Sequence, residues 1–122
     1  MVTDFYYGLN IDRLPLTRHA SIDRKERFDR MLEITGSLGK VIKSVEQDIG
    51  TIRHLTDKGV LVITDPNCEV IVTAWFPFLS QVKPFFPGEG HTIPPNIAYK
   101  VEYHLEEQEV LRLALTEEDA VA

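Results

Sequence analysis

This chain of 122 residues is poor in cysteine, in long apolar runs and in positive charge. Its single cysteine, Cys68, excludes an internal disulfide and is not part of a Cys/His spacing typical of structural zinc. The apolar runs extend over only a few residues, far short of a membrane span. The N-terminus lacks the basic and apolar segments of a signal peptide. We therefore expect a cytoplasmic protein with no cofactor, no metal and no membrane partner.

The charge is unevenly distributed along the chain. The formal net charge is −6, whereas simple nucleic-acid binders are normally basic. Residues 1–100 contain twelve acidic residues and twelve Lys or Arg, while residues 101–122 contain seven acidic residues against Arg112 alone. The acidity therefore belongs to the C-terminal segment, and the body of the protein has a locally basic helix that can still bind a polyanion.

Length and composition predict one domain, residues 1–122, with a core at about 17–76. The apolar fraction of 43% and the charged fraction of 26% are ordinary for a soluble globular protein. A short strand is possible at 5–7. Thr17 or Ser21 can cap a helix that runs to about Ile34 and ends at Gly36. Residues 37–49 have apolar side chains at helical spacing and predict a second helix, with an extended structure at 40–45 as the alternative.

After Gly50 the pattern changes to that of short strands, at 51–56, 60–64 and 69–76. Residues 57–59 predict a hairpin turn with Gly59 in the left-handed conformation. Residues 77–95 form a Pro-rich loop with exposed aromatics possible at Phe78, Phe85 and Phe86, and residues 96–115 form a C-terminal acidic helix. The predicted fold is α+β, with two N-terminal helices packed on an antiparallel sheet of three to four strands.

The first helix carries side chains suited to binding phosphate. His19 and Asp23 are four residues apart and share one side of the helix, and Arg24 and Arg27 are neighbours one turn apart. A histidine and two arginines along one strip can contact phosphates near a helix N-terminus. The alternative is a solvated face, in which the interleaved acidic residues Asp23, Glu26 and Asp29 neutralise the arginines.

The strands contribute Arg53, His54, Thr73 and Trp75. Arg53 and His54 are adjacent on one strand and must point to opposite faces of the sheet. A two-residue loop at 66–67 places His54 on the face of Thr73, whereas a three-residue loop at 66–68 places Arg53 there. We favour the second loop, with Cys68 left-handed at its third position. Trp75 shares the face of Thr73 and can stack a base, or it can be a core tryptophan.

The run from Thr17 to Trp75 resembles the small ribonuclease toxin domains of the barnase–EndoU–colicin–RelE group. The matching residues are His19-Ala20, Arg24, Arg27, residues 53–56 and residues 72–75. The resemblance implies helices on one face of an antiparallel sheet and an RNA-cleaving site on the other. It also implies metal-free chemistry and a partner that is an antitoxin or another protein inhibitor.

Carried over by position, His19 or Arg27 is the catalytic or phosphate-binding residue of the helix. Arg53 or His54 is the corresponding residue of the sheet, and Thr73 positions the phosphate. Arg24, Arg27 and Trp75 are then the expected RNA-binding residues. The acidic net charge and the proline loop with its acidic helix depart from the family core.

Two functions follow from these residues. The first is a metal-independent, endoribonuclease-like toxin domain of bacterial or phage origin that cleaves or binds RNA. The second is a non-catalytic α+β protein that binds a protein partner through Phe78, Phe85, Phe86 and the acidic helix.

Overall fold

The computed structural model describes residues 1–88, 90 and 92–121, the side chains of 115–121 excepted. No helix within these residues is both long enough and apolar enough to cross a membrane. The side chain of Leu115, at the end of the predicted C-terminal helix, and the acidic side chains of Glu117, Glu118 and Asp119 lie outside the described residues. The elements in chain order are β1 (Val2–Thr3), a 3-10 turn (Ile11–Arg13), α1 (Arg18–Asp23), α2 (Lys25–Thr35), β2 (Val41–Glu46), β3 (Ile52–Thr56), β4 (Leu61–Thr64), β5 (Ile71–Trp75), α3 (Leu79–Val82), a second 3-10 turn (Lys83–Phe85) and α4 (Pro95–Val121).

The sheet is an antiparallel meander of five strands in the order β1-β2-β3-β4-β5. Side chains alternate between the two faces of the sheet along each strand, so residues that lie directly opposite one another on neighbouring strands point to the same face. We call such a set of opposed residues a transverse row. The first face carries Ser44, His54, Val62 and Ala74, and the second face carries Val45, Arg53, Ile63 and Thr73.

A large apolar cluster covers the first face. The helices α1 and α2 contribute Ala20, Phe28 and Met31, which pack with Val62 and Ala74 of the sheet. Burying these side chains stabilises the two helices against the sheet, because isolated helices of 6 and 11 residues are marginal in water.

A second apolar cluster covers the part of the second face that lies toward the β3–β4 hairpin turn. Leu55 and Leu61 of the sheet pack against Val82 of α3 and against Ile97 and Val101 of α4. The transverse row that contains Arg53 and Thr73 lies beyond this cluster, and its side chains remain half-buried. The second face is therefore only partly covered by helices.

Several sequence predictions are confirmed. Thr17 caps α1, its Oγ1 accepting a hydrogen bond from the backbone N–H of Ala20 at 3.2 Å. Gly36 ends α2 at φ 77°, and Gly59 adopts φ 74° in the β3–β4 hairpin. The α+β class, the three central strands and the C-terminal helix are as predicted. The N-terminal helix differs in that it breaks at Arg24 into α1 and α2.

Other predictions are wrong. Residues 37–49 contain β2 at Val41–Glu46, close to the extended alternative at 40–45, rather than the second helix, so the sheet has five strands rather than three to four. The first strand lies at Val2–Thr3 rather than at 5–7, where the chain turns. The Pro-rich loop contains α3 and a 3-10 turn, and these bury Phe85 and half-bury Phe86, so Phe78 alone of the three aromatics is exposed.

Candidate anion-binding groove

An open groove of about 810 Å³ lies between α2 and α4, beside the end of β5. Three arginines from the start and middle of α2 line one wall, and residues 105–112 of α4 contribute the other. The segment that leaves β5 forms the end of the groove. The charged, aromatic and apolar side chains that line the groove include Asp23, Arg24, Glu26, Arg27, Arg30, Trp75, Phe78, Leu105, Glu109, Leu111 and Arg112.

Two of the four acidic residues of α1 and α2, Asp23 and Asp29, contact basic side chains outside the arginine strip. The carboxylate of Asp23 lies 2.7 Å from Nδ1 of His19, and that of Asp29 lies 2.7 Å from Nζ of Lys25. Among the described residues, Arg24, Arg27 and Arg30 make no ion pair. The interleaved carboxylates therefore do not pair directly with these arginines, and Arg27 and Arg30 are exposed to solvent.

These three arginines stand one helical turn apart. A rise of about 1.5 Å per residue places Arg24 and Arg30 about 9 Å apart along the axis. Arg27 and Arg30 are exposed, and Arg24 is half-buried at the break between α1 and α2. Glu26 lines the same groove as a single carboxylate without an ion pair in the described region, so the wall keeps an excess of positive charge.

The wall from α4 is mixed in character. Leu105 and Leu111 present apolar surface, while the Arg112 guanidinium donates to both carboxylate oxygens of Glu109, at 2.6 and 3.1 Å. This exposed pair holds the pKa of Glu109 below its ordinary value.

Aromatic side chains form the end of the groove. Trp75 is half-buried, and its Nε1 donates to Oε1 of Gln81 at 3.4 Å. Phe78 is 63% exposed. The guanidinium carbon of Arg53 lies 5.7 Å from the centre of the Trp75 ring, a cation–π distance. Trp75 therefore joins the groove to the second face of the sheet.

Arg24 reaches from the helices to the sheet. Its Nη1 donates to Oγ1 of Thr73 at 2.6 Å. Thr73 lies opposite Ile63, which lies opposite Arg53, so Arg53 and Thr73 share the second face. The predicted face for Arg53 is confirmed.

The loop that places Thr73 is not the predicted one. The N–H of Asp65 donates to the carbonyl of Val70, which leaves four residues, 66–69, in the loop. A register shift between β4 and β5 then adds one residue at Val72, and this brings Ile63 opposite Thr73. Cys68 is left-handed at φ 54°, as predicted, although it is the third of four loop residues.

His54 lies on the first face, sealed in the interior with no exposed surface. Its Nδ1 is 2.6 Å from Oγ of Ser44, and its Nε2 is 2.9 Å from Oγ1 of Thr64. The hydroxyls of Ser44 and Thr64 can each donate or accept, so both ring nitrogens of His54 have a hydrogen-bond partner in either tautomer of the neutral ring. The ring of Tyr6 packs edge-on against the imidazole at 5.4 Å.

This environment keeps His54 neutral. Burial lowers the pKa of His54 to about 4. The buried, hydrogen-bonded histidine that the sequence left as an alternative is the arrangement that the structure contains. His54 does not reach the groove.

The predicted site residues thus fall into three sets. Arg24, Arg27 and Trp75 line the groove, and Thr73 and Arg53 adjoin it on the second face. His19 is exposed beside the groove through its contact with Asp23, and His54 is on the opposite face.

The arginines Arg30 and Arg112 line the groove but were not predicted as site residues, and Phe78 was predicted only as a contact for a protein partner. The three-residue spacing from Arg24 through Arg27 was a usable signal for Arg30. No sequence signal indicates that Arg112 of the C-terminal helix lies across the groove from α2.

Within the described part of the chain, no three His, Cys, Asp or Glu side chains are grouped so that they could hold a metal ion. Comparison with protein-family models, curated proteins and solved structures gave no match for this chain. The resemblance to ribonuclease toxins stays a prediction, and function has to be argued from the groove itself.

Proposed function

We propose that this chain binds single-stranded RNA in the groove between α2 and α4. The observation that carries the proposal is the strip formed by Arg24, Arg27 and Arg30, which have no ion pair among the described residues and lie next to Trp75 and Phe78. Guanidinium groups donate to phosphate oxygens, and aromatic rings stack on unpaired bases.

The groove dimensions suit a short stretch of ligand. A volume of about 810 Å³ is within the range of sites that enclose a drug-sized molecule, which corresponds to about one or two nucleotides. An unpaired base has a free aromatic face for Phe78, whereas a base inside a duplex does not. The groove therefore favours single strands over duplexes.

The acidic net charge is compatible with this site. The excess of acidic residues lies in residues 101–122, and Glu109, which lines the groove, is paired with Arg112. The local field of the α2 wall remains positive, and local field rather than net charge governs the approach of a phosphate.

Of the two histidines that were predicted as catalytic residues, only His19 is placed where it could take part in cleavage. A ribonuclease needs a general base and a general acid within hydrogen-bond reach of the reacting oxygens. His19 keeps Nε2 free while Nδ1 faces Asp23, and Asp23 lines the groove. His54 cannot supply the second group from the interior, so the geometry favours RNA binding over RNA cleavage.

A second candidate function is docking of a protein partner. Val110 and Leu113 on α4 are 59% and 49% exposed, and Phe78, which lines the groove, is 63% exposed. These apolar side chains fit a protein contact better than a phosphate contact.

The test compares two matched double variants. Arg27→Gln/Arg30→Gln removes two groove cations, and Arg13→Gln/Lys40→Gln removes two exposed cations that do not line the groove. Binding of a ten-nucleotide RNA with a 3′ fluorophore is measured by anisotropy over a range of salt concentrations. We expect the groove variant to weaken binding by about tenfold or more and to reduce the salt slope by about 1.4.

Two results would reject the proposal. One is absence of RNA binding by the unaltered protein, and the other is an equal loss in the two double variants. The same RNA, incubated in chelator and run on a denaturing gel, tests cleavage. If fragments appear and are lost in His19→Ala, the chain is a ribonuclease as well as a binder.

A further inference from the structure

The guanidinium of Arg53 lacks a counter-charge. It projects from the central strand β3 onto the second face, where it lies over Trp75. Its Nε is sealed from solvent and has no hydrogen-bond partner, and no described carboxylate pairs with it. A buried donor without a partner costs free energy, whereas the two Nη groups are not sealed from solvent and remain able to donate to a ligand.

A second guanidinium borders the same part of the sheet. Arg24 donates to Thr73, and Thr73 and Arg53 belong to one transverse row of the second face. Trp75, the next residue of β5 on that face, contacts the guanidinium of Arg53 and lines the groove together with Arg24. Asp65, which follows β4, is directed instead at the backbone N–H groups of Glu69 and Val70, at 2.7 and 2.9 Å.

Two guanidinium groups, a hydroxyl and no paired carboxylate suit an anion with more than one charge. A phosphomonoester carries between −1.5 and −2 at pH 7 and offers three acceptor oxygens, whereas an internal phosphodiester carries about −1. Arg24 is also the arginine at the sheet end of the groove strip. Arg53 and Thr73 therefore lie where the end of an RNA strand bound in the groove would emerge.

We propose that Arg24, Arg53 and Thr73 form a subsite for a phosphomonoester, the terminal 5′-phosphate of an RNA strand held in the groove. This inference rests on the proposed RNA binding and adds the end of the strand that is recognised. Arg53 supplies donors over Trp75, Arg24 supplies donors at Thr73, and the arginines of α2 contact the phosphates that follow.

The experiment compares 5′-phosphorylated and 5′-hydroxyl forms of one ten-nucleotide RNA labelled at its 3′ end. The readout is the ratio of the two affinities, which cancels any effect on groove binding itself. We expect the unaltered protein to bind the phosphorylated form about tenfold more tightly. Arg53→Gln should bring the ratio close to one, and Arg53→Lys, which keeps the charge but loses the planar fork, should lower it in part.

Controls separate the subsite from the groove. Arg13→Gln, an exposed arginine away from both, should keep the full ratio. Inorganic phosphate, titrated at constant ionic strength, should change the fluorescence of Trp75, the sole tryptophan, and Arg53→Gln should abolish that change.

The outcomes are distinct. If the protein binds both RNA forms equally well, the subsite is wrong and RNA binding stands. If neither RNA form binds, the groove proposal fails, and the terminal-phosphate inference fails with it. A tenfold preference that persists in both Arg53 variants would assign phosphate recognition to other residues and reject the subsite.

Discussion

At the scale of single residues, Arg53 and His54 show how one position along a strand decides chemistry. They are neighbours on β3, yet Arg53 lies at the partly open second face and His54 has no exposed surface. The imidazole satisfies both ring nitrogens with the hydroxyls of Ser44 and Thr64, whereas the Nε of Arg53 has no partner in the described residues. The charged neighbour is therefore the one available to a ligand.

The pKa of His54 leads to a stability prediction. Its pKa in the folded protein is about 4, against about 6.5 in an unfolded chain. Between these values the unfolded chain binds more protons, so stability is full above pH 6.5 and falls as the pH drops. Lowering the pH from 7 to 5 should cost about 2 kcal/mol of unfolding free energy through this group.

Urea unfolding followed by Trp75 fluorescence measures this cost. His54→Gln keeps hydrogen-bonding capacity without the titration, so its stability should change less between pH 7 and pH 5. Burial also lowers the pKa of His104, with the same sign, and that contribution remains in both proteins. An unchanged pH dependence in His54→Gln would show that His54 does not control it.

At the scale of elements, α4 combines a buried half and an exposed half. Val101 is fully buried against the second cluster, whereas Val110 is 59% exposed. Val101→Ala should lower the free energy of unfolding by about 2 kcal/mol, because it removes two buried methyl groups and leaves a cavity. Val110→Ala should change it by no more than about 0.5 kcal/mol, since alanine is also the better helix former. Equal losses in urea unfolding would contradict this division of the helix.

The strand β2 shows where sequence periodicity stopped being informative. Leu38, Val41, Ile42, Val45 and Ile49 fit helical spacing, but three of these residues are β-branched members of β2 that pair or pack within the sheet. Pairing with both β1 and β3 satisfies the backbone there. This pairing decides between the helix and the extended alternative at 40–45, a choice that local spacing did not make correctly.

Gly39 fixes the entry into β2. It has φ 95°, and an added Cβ would collide with Oδ1 of Asp57 and lie 2.7 Å from Cγ of Lys58. Gly39→Ala should therefore cost at least about 2 kcal/mol in urea unfolding. Gly88→Ala is the matched control, because nothing lies within 4 Å of its added Cβ. A stable Gly39→Ala protein would show that the entry into β2 can rearrange.

At the scale of the whole molecule, the two apolar clusters on opposite faces are linked. Leu105 of α4 packs against both of them. We expect one cooperative transition, in which far-ultraviolet circular dichroism and Trp75 fluorescence give the same urea midpoint. Separate midpoints would mean that the clusters unfold independently.

The groove is a product of the whole fold, and this limited what the sequence could predict. The arginine strip is local to one helix, so Arg24 and Arg27 were predictable from spacing alone. The face of Arg53 depends on a four-residue loop and a bulge at Val72, which together reproduce the parity of the shorter loop that was expected. The contribution of α4 has no local signal, because it comes from packing between segments that are about 80 residues apart.

The borders of the sheet have a consequence for self-association. A meander exposes the unpaired backbone of its two outer strands, and such borders can template the addition of strands from other molecules. Here β1 is only two residues long, and β5 is occupied near its start by Pro15 and Thr17, which exchange hydrogen bonds with Ile71 at 2.8 and 2.9 Å. Arg24 covers the next part of β5 at Thr73. The short first strand and the paired start of β5 should therefore limit the addition of strands from other molecules, and Arg24, which lines the groove, lies along the same border.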